Sequence, residues 1–291
     1  MSAEVFDGKS LAADLSVGVA RQVAALTDKG LTPTLAVVLV GTNPASQSYV
    51  RGKAKACAAV GIHSIDRTLP EDTSQEELAS VVAELNAAPD VDGILVQLPL
   101  PDHIDAEPIL LSIAPEKDVD GFHPVSLGML VRGTPTFLPC TPFGIVRIFE
   151  SARIDTTGKE VVVVGRSNIV GKPIAIMLMQ RDANATVTVC HTRTVDMAAH
   201  TRRADILIVA AGAVNAITAD MVKPGAVVID VGMNRVPDAS RKRGYRLVGD
   251  VDFEGVKETA SFITPVPGGV GRLTVAMLLE NTVRACERRR G

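Results

Sequence analysis

The sequence predicts an α/β protein with two α/β domains and a cleft between them. Its length of 291 residues exceeds what one small core needs and suits two domains. Apolar runs alternate with helical patterns at the spacing of right-handed βαβ units, which indicates parallel sheets. This alternation stops in residues 99–143, where prolines and glycines are frequent, and resumes at Val161. The domain junction is therefore predicted between about Pro139 and Gly158.

Several apolar runs are predicted as strands, because a strand buried in a parallel sheet reads as an almost unbroken apolar run. In chain order they cover residues 35–40, 62–69, 93–98, 161–164, 186–190, 205–211 and 226–231. Residues 274–290 have the spacing of an amphipathic helix, which is expected to pack back on the N-terminal domain. The predicted N-terminal domain is thus residues 1–140 plus about 272–291, and the C-terminal domain is residues 141–271.

Composition and charge argue against several classes of protein. No apolar run approaches the ~20 residues that a membrane span needs, so no membrane partner is expected. The net charge is −3 and the only basic run is residues 288–290, so no nucleic-acid partner is expected either. The first residues lack the layout of a signal peptide, and the histidines show no metal-ligand spacing. The cysteines are dispersed without a C-x-x-C pair, which is typical of reduced thiols in a cytoplasmic protein: Cys57, Cys140, Cys190 and Cys286.

An apolar strand runs into a glycine turn and a helix start at residues 161–173, V-V-V-V-G-R-S-N-I-V-G-K-P. Such a turn offers free backbone N–H groups and the positive end of a helix dipole to an anion. It therefore predicts the phosphate site of a Rossmann-like dinucleotide-binding domain. The pattern departs from G-x-G-x-x-G, since Ser167 stands where the second glycine would be. An ordinary strand-to-helix connection is the alternative.

The residues after the next strand indicate which dinucleotide binds. A carboxylate usually follows that strand and holds the ribose 2′-hydroxyl of NAD. Here the strand is followed by His191, Thr192 and Arg193, with no carboxylate. Arg166 and Thr192 can instead bind a 2′-phosphate through charge-assisted hydrogen bonds, which predicts NADP. Alternatively, Arg166 and Arg193 are solvated surface charges.

A lysine interrupts the apolar face of a helix predicted over residues 45–60. Asn43 suits the cap of this helix and Pro44 its first turn. Tyr49 and Lys53 lie one turn apart on the same face. Lys53 either lays its stem along apolar surface or acts as a base. A base needs its pKa lowered from ~10.4 toward ~7 to 8, about 4 kcal/mol of differential interaction, and hence desolvation.

Three further segments carry candidate chemistry. Gln97 lies near the end of a buried strand and either donates and accepts at a ligand or bonds its own loop. Asp120 precedes Gly121, which is a turn signal, but its carboxylate can also pair with the N–C–N edge of a pterin or purine. Residues 264–271, T-P-V-P-G-G-V-G, form either a backbone wall that a flat ring can approach or simply a rigid loop.

Taken together, nine blocks in order along nearly the whole chain resemble the bifunctional methylenetetrahydrofolate dehydrogenase/cyclohydrolase family. The blocks are Y-V-R-G-K-A-K-A (49–56), V-Q-L-P-L-P (96–101), P-E-K-D-V-D-G-F-H-P (115–124), L-P-C-T-P (138–142), V-V-G-R-S-N-I-V-G-K-P (163–173), C-H-T-R-T (190–194), V-I-D-V-G-M-N-R (228–235), G-D-V-D-F (249–253) and T-P-V-P-G-G-V-G (264–271).

The resemblance implies two reactions in one cleft. The first oxidises 5,10-methylenetetrahydrofolate to the methenyl form by hydride transfer to NADP, and the second adds water to give 10-formyltetrahydrofolate. In the family, Tyr49 matches a residue that lines the folate ring and Lys53 matches the residue essential for hydrolysis. Gln97 matches a residue that tunes this lysine, and Asp120 matches one that holds the pterin.

The resemblance also implies the remaining binding residues and a homodimer. Cofactor contacts are implied for Gly165, Arg166, Ser167, Thr192 and Met233. Substrate contacts beyond the residues above are implied for Leu98, Pro99, Pro267, Gly268 and Gly269.

The chain departs from the family at two places. Gly271 is followed by Arg272 and Leu273 where the family usually reads G-P-M-T, and Phe143 stands where a basic residue is common. Arg272 either binds the glutamate tail, clashes with the ring or points to solvent.

Two other functions compete with the bifunctional enzyme. One is an NADP-dependent dehydrogenase that has lost the hydrolytic step, although retention of Tyr49, Lys53 and Gln97 argues against it. The other is a non-catalytic NADP-binding module.

Overall fold

The computed structural model describes residues 2–241 and 244–291. Its contacts divide the chain into two units. One contains Ala13–Cys140 and Val275–Gly291, and we call it the three-stranded unit after its sheet. The other contains the N-terminal segment up to Ala12 together with Thr141–Thr274, and we call it the six-stranded unit.

The strands and helices follow the chain in this order. The strands are β1 (Glu4–Val5), β2 (Thr34–Val40), β3 (His63–Leu69), β4 (Gly93–Val96), β5 (Glu160–Val164), β6 (Thr186–Cys190), β7 (Ile206–Val209), β8 (Val227–Asp230), β9 (Asn234–Pro237), β10 (Tyr245–Val248) and β11 (Phe262–Ile263). The helices are α1 (Gly8–Thr27), α2 (Pro44–Val60), α3 (Gln75–Ala87), α4 (Ala106–Leu111), α5 (Pro124–Arg132), α6 (Cys140–Ala152), α7 (Gly171–Leu178), α8 (Met197–Thr201), α9 (Phe253–Lys257) and α10 (Gly271–Arg290).

The three-stranded unit is built on a parallel sheet with the order β3-β2-β4. Every residue of the central strand β2 is buried, whereas the edge strand β3 is partly exposed. Apolar side chains of β2, β4 and α3 form one core with residues of α4. The carboxyl ends of β2 and β4 lead to α2 and to Gln97, so this sheet positions both segments.

Two buried charged side chains bind the C-terminal ends of helices in this unit. Lys117 is buried, and its Nζ donates to the carbonyl oxygens of Leu85, Asn86 and Ala88 at 2.9, 2.8 and 2.7 Å. These carbonyls lie at the C-terminal end of α3, where a cation compensates the helix dipole. The buried carboxylate of Asp92 forms salt bridges with Arg289 and Arg290, which hold the end of α10.

The six-stranded unit has a sheet of the order β1-β11-β8-β7-β5-β6, in which every pair is parallel. Val161, Val162 and Val163 of β5 are fully buried, as their unbroken apolar run predicts. Strands β9 and β10 form a separate antiparallel ribbon. The prediction of two α/β domains with parallel sheets is confirmed, and the cleft stays a prediction.

The N-terminal segment differs from the predicted organisation. Residues 1–140 were expected to lie in one domain, but the segment up to Ala12 clusters with the six-stranded unit. The reason is that β1 pairs in parallel with β11 and extends the larger sheet by one strand. Phe6 also packs against Phe262, with ring centroids 5.9 Å apart. A strand of two residues is too short for its apolar pattern to show in a sequence.

Membrane insertion was not expected from the sequence. Across residues 2–241 and 244–291, no helix combines the length and the apolar character needed to cross a bilayer.

Candidate active site

Helix α2 presents Lys53 beside a buried face. The helix begins at Pro44, and Asn43 caps it, since its Oδ1 accepts a hydrogen bond from Ser46 N at 3.3 Å. One turn after Lys53, Cys57 is fully buried, whereas Tyr49, one turn before it, is 49% exposed. Lys53 itself is half-buried. This face of the helix is therefore buried on the C-terminal side of Lys53 and exposed on its N-terminal side, at Tyr49.

The ammonium group of Lys53 has a defined partner. Its Nζ donates to Gln97 Oε1 at 3.0 Å. The Gln97 Nε2 donates in turn to the carbonyl oxygen of Leu98 at 2.5 Å, which fixes the orientation of the amide and leaves Oε1 toward Lys53. Gln97 thus hydrogen-bonds its own loop and accepts a hydrogen bond from Lys53 at the same time. Lys53 is half-buried and its amine has a side-chain partner, so it is not a freely solvated surface charge.

Lys53 and Asp120 shift each other's protonation. Burial lowers the pKa of Lys53 from its usual value, and the nearby Asp120 carboxylate counteracts this by favouring the charged amine. Burial raises the pKa of Asp120, against the influence of Lys53 and of a hydrogen bond from the Cys140 thiol. A lysine with a lowered pKa has more neutral amine near neutral pH, which is the form that can accept a proton.

A buried carboxylate organises the turn that carries Asp120. Asp118 accepts hydrogen bonds from Phe122 N at 3.2 Å, His123 N at 2.8 Å and Ser126 Oγ at 2.8 Å. Burial raises the pKa of Asp118 to about 6. Sequence reasoning assigned no role to Asp118; its position directly after Lys117 and two residues before Asp120 was the available signal.

Gly121 makes the turn possible. Its φ of +75° lies in the left-handed region, and a Cβ there would lie 2.8 Å from Pro139 N. The Asp120 turn therefore packs backbone to backbone against the segment before α6. Cys140, at the start of α6, is buried beside this turn, and its N donates to the carbonyl oxygen of Asp120 at 3.3 Å. The sequence reading also missed Cys140 as a neighbour of Asp120.

In the six-stranded unit, glycines shape the turn after β5. Gly165 has a φ of +129°, and a Cβ there would collide with the carbonyl oxygen of Ala210. A Cβ on Gly171, where α7 begins, would collide with the carbonyl oxygen of Gly165. Ser167 Oγ accepts hydrogen bonds from Val170 N at 3.2 Å and Gly171 N at 3.4 Å, so it occupies the donors of the helix start. The tight strand-turn-helix geometry therefore exists without the second glycine.

Arg166 and Thr192 follow neighbouring strands. Strands β5 and β6 pair with Val164 opposite Cys190, and Gly165 N donates to the carbonyl oxygen of Cys190 at 2.9 Å. Arg166 and Thr192 are both exposed. Their positions at one edge of the sheet, with no acidic residue in 190–194, suit a phosphate group on the ribose.

Two buried carboxylates join the loops around Met233. Asp230 accepts from Gly232 N, Asp250 N and Val251 N at 2.9 to 3.0 Å. Asp250 accepts from Ala211 N at 2.6 Å, Gly212 N at 2.8 Å and Asn234 Nδ2 at 2.8 Å. Burial raises the pKa of Asp230 to about 6. The network fixes the backbone beside Met233, whose side chain is 47% exposed.

The segment 264–271 is a compact backbone turn. Gly269 N donates to the carbonyl oxygen of Pro265 at 2.8 Å, and a Cβ on Gly269 would lie 2.7 Å from the same oxygen. Pro267 is exposed, Gly268 is half-buried and Gly269 is buried. On the other unit, Leu98 is half-buried and Pro99 is exposed. Every residue predicted to contact the substrate, except Gly269, therefore has part of its surface exposed.

The positions that depart from the family differ in exposure. Phe143 and Leu273 are buried in the six-stranded unit, and the guanidinium of Arg147 lies 4.8 Å from the Phe143 ring centroid. Leu273 packs against Gly144, where a Cβ would lie 2.9 Å from Leu273 Cβ. Arg272 is exposed. Phe143 and Leu273 thus contribute to the core, and only Arg272 is open to a ligand.

In residues 2–241 and 244–291, no three His, Cys, Asp or Glu side chains converge in a way that can hold a metal ion.

Two family models match the chain. Residues 6–120 match the tetrahydrofolate dehydrogenase/cyclohydrolase catalytic domain, and residues 139–290 match the NAD(P)-binding domain of the same family. The bifunctional protein FolD of Salinibacter ruber is 58% identical over 99% of this chain and 97% of that protein. The bifunctional protein FolD of Dechloromonas aromatica is 54% identical over the full length of both.

Solved structures give the same result. The bifunctional FolD methylenetetrahydrofolate dehydrogenase/cyclohydrolase of Campylobacter jejuni has a TM-score of 0.93 and 50% identity, over 99% of this chain and 100% of that one. The Trypanosoma brucei enzyme, solved with NADP and an inhibitor, has a TM-score of 0.94 and 41% identity, over 99% and 98%. The resemblance found in the nine sequence blocks is confirmed, and the chain belongs to the tetrahydrofolate dehydrogenase/cyclohydrolase family.

Proposed function

We propose that Lys53 accepts the proton that water loses in the hydrolytic step of a bifunctional folate enzyme. Gln97 holds its amine in place, and Asp120 partly offsets the lowering of its pKa by burial. The chain oxidises 5,10-methylenetetrahydrofolate to 5,10-methenyltetrahydrofolate with NADP and hydrolyses the product to 10-formyltetrahydrofolate. The observation that carries the assignment is the 3.0 Å contact between Lys53 Nζ and Gln97 Oε1 beside the Asp120 carboxylate. Residues whose pKa is shifted by burial together with a specific charged partner are enriched at functional sites.

NADP is the cofactor and accepts the hydride. The residues present fit it, because Gly165 and Gly171 let the turn after β5 pack closely against neighbouring backbone at the start of α7, and a helix start after a tight glycine turn suits a phosphate. Arg166 and Thr192 are proposed to hold the 2′-phosphate, Gly165 and Ser167 to face the remaining phosphates, and Met233 to contact the cofactor. Hydride transfer needs mainly alignment of the reacting carbons, so these residues contribute by positioning.

The pterin is proposed to bind through Asp120 and Tyr49. An ionised Asp120 can pair in a bidentate manner with the N–C–N edge of the ring. The half-exposed ring of Tyr49 offers a flat apolar surface for stacking. Further substrate contacts are proposed for Leu98, Pro99, Pro267, Gly268 and Gly269.

Hydrolysis takes both protons from water and returns one of them to nitrogen. Water oxygen bonds to the methenyl carbon, and the neutral amine of Lys53 is proposed to take the first proton that this oxygen loses. The hydroxyl that remains on the carbon then loses its proton as the bond between the carbon and N5 breaks, which leaves the formyl C=O on N10. N5 takes up one proton, and the other is released to solvent. Gln97 keeps the amine in place, and general base catalysis of this kind is typically worth 10² to 10⁴ in rate.

A homodimer and a cytoplasmic location are also proposed. The β9–β10 ribbon forms a sheet of its own within the described part of the chain, and a lone two-stranded ribbon is marginally stable unless something covers it. A second copy of the chain would supply that cover. All four cysteines are unpaired thiols, which fits a reducing compartment.

One assay with two signals tests the function. The protein is mixed with methylenetetrahydrofolate and NADP, and both reduced nicotinamide and the methenyl chromophore are followed. We expect nicotinamide reduction without accumulation of the methenyl form. Accumulation of the methenyl form would indicate a dehydrogenase that has lost hydrolysis, and no reduction would indicate a non-catalytic binding module.

A further inference from the structure

The C-terminal helix places an amide beside the Asp120 turn. Asn281 of α10 is fully buried. Its Nδ2 donates to the carbonyl oxygen of Val119 at 2.8 Å and to that of Leu138 at 2.9 Å, and it lies 3.7 Å from Cys140 Sγ. Because both carbonyl partners can only accept, the amide must present its nitrogen to them. Asn281 therefore joins two segments that are far apart in the sequence.

Both segments contact Asp120 directly. Val119 precedes Asp120 in the chain, and Cys140 N donates to the carbonyl oxygen of Asp120 at 3.3 Å. The thiol of Cys140 contributes a hydrogen bond that lowers the pKa of Asp120. The segments also meet at Gly121, where a Cβ would lie 2.8 Å from Pro139 N. Asn281 thus hydrogen-bonds both backbone segments that contact Asp120, one at Val119 and the other at Leu138.

We propose that Asn281 is a positioning residue for the folate reactions, which holds the Asp120 turn so that its carboxylate faces Lys53 and the pterin at a fixed distance. The inference rests on the proposed roles of Lys53 and Asp120. Asn281 touches neither the reacting atoms nor Lys53; it acts through Val119, Leu138 and Cys140. Loss of its two donated hydrogen bonds leaves the Val119 carbonyl with the weaker 3.4 Å contact from Cys140 Sγ, removes the Asn281 donor from the Leu138 carbonyl, and allows the turn to shift.

Thr282 supplies the matched control. It follows Asn281 on the same helix and is also fully buried, but its Oγ1 donates to the carbonyl oxygen of Leu278 at 2.8 Å, within α10 itself. Thr282→Val keeps the shape of the side chain and removes a buried hydrogen bond without touching the Asp120 turn. It therefore reports what a merely structural loss does to this helix.

The experiment compares Asn281→Leu with Thr282→Val. Leucine is branched at Cγ like asparagine and donates no hydrogen bond, although it is larger. We expect Asn281→Leu to lower kcat of the hydrolytic step and to raise KM for the folate, together by about tenfold in kcat/KM. We expect KM for NADP to stay unchanged, and Thr282→Val to retain wild-type values for all three quantities.

The pH profile of hydrolysis distinguishes positioning from general loss of stability. Lys53 faces the carboxylate of Asp120 and the thiols of Cys140 and Cys57, and Asp120 raises its pKa. A displaced Asp120 raises it less, so the pKa of Lys53 falls further. Because Lys53 works as the neutral amine, the midpoint of the rising limb is expected to move to lower pH by about half a unit or more.

The outcomes are separable. An Asn281→Leu enzyme with the kinetics and pH midpoint of Thr282→Val overturns the inference. Lys53→Met and Asp120→Asn enzymes that hydrolyse at the wild-type rate overturn the proposed function instead, whatever Asn281→Leu does. If Asn281→Leu does not unfold cooperatively on heating, Asn281→Ser decides. Its hydroxyl can serve one carbonyl but not both, so a partial shift of the midpoint supports the inference and a wild-type profile overturns it.

Discussion

The two units position their candidate residues by different physical means. In the three-stranded unit, Lys53, Gln97 and Asp120 come from separate segments and meet through side-chain contacts. In the six-stranded unit, the turn after β5 is shaped by backbone and by glycines such as Gly165 and Gly171, all within a few residues. The first arrangement depends on long-range packing, and the second depends on local geometry. The comparison teaches that side-chain chemistry and phosphate binding tolerate different kinds of substitution.

The largest expected effect is loss of hydrolysis in Lys53→Met. Removing the base should reduce the hydrolytic rate by about 10³, because no other amine takes its place, while nicotinamide reduction falls less. The measurement is the rate of methenyltetrahydrofolate disappearance beside the rate of nicotinamide reduction. Lys55→Met is the control, since Lys55 is exposed on the same helix. An equal fall of both rates would mean that Lys53 positions the substrate rather than moving a proton.

The next effect concerns stability and compares the buried carboxylates of the two units. The pKa values of Asp118 and Asp230 are raised to about 6 in the folded state by burial. Between the unfolded pKa and about pH 6, the folded state binds more protons, so each carboxylate lowers the free energy of unfolding as pH rises. The free-energy advantage of wild type over Asp118→Asn or Asp230→Asn should shrink by about 2 kcal/mol between pH 4 and pH 7.

This prediction has a control of opposite sign. Asp155 is exposed, and hydrogen bonds from Thr157 lower its pKa. The advantage of wild type over Asp155→Asn should therefore be retained above the unfolded pKa and lost only as pH falls through the folded pKa. Urea unfolding followed by circular dichroism suits a chain without tryptophan. If the difference in free energy of unfolding between wild type and Asp118→Asn does not change from pH 4 to pH 7, the raised pKa is contradicted.

The same contrast explains what the sequence could and could not predict. The run at 161–164 and the following glycine turn predicted β5, the start of α7 and their tight junction, because all of these depend on neighbouring residues. The helix that carries Lys53 was predicted for the same reason, through Asn43 and Pro44. The resemblance, rather than periodicity, was needed to connect Lys53 with Gln97 and Asp120.

Other features depend on contacts that no local pattern reveals. Asn281 meets Val119 and Leu138 only after α10 packs on the three-stranded unit. Strand β1 has two residues and exists because it pairs with β11, which moves the N-terminal segment to the other unit. The β9–β10 ribbon was also missed, since its strands N-R-V-P and Y-R-L-V have only four residues each and show no unbroken apolar run.

Gly165→Ala tests the local geometry of the six-stranded unit. The added Cβ would collide with the carbonyl oxygen of Ala210 at a positive φ. Displacement of the turn should weaken NADP binding roughly thirtyfold, because such strain costs about 1 to 3 kcal/mol. Isothermal titration with NADP measures the change. Gly225→Ala is the matched control, since it has a φ of +81° in the same unit but no atom within 4 Å; equal losses in both variants would assign the effect to backbone strain alone.

The smallest effect separates the two arginines beside the proposed ribose phosphate. Arg166 follows β5 and Arg193 follows β6, and both are exposed. Arg166→Gln should weaken NADP binding about tenfold and leave NAD binding unchanged, because only the 2′-phosphate loses a charged partner. Arg193→Gln should change neither. Dissociation constants for both cofactors decide between them. A loss that falls on Arg193→Gln instead would move the phosphate to the β6 side of the turn, and equal losses for NADP and NAD would place Arg166 on phosphates that both cofactors share.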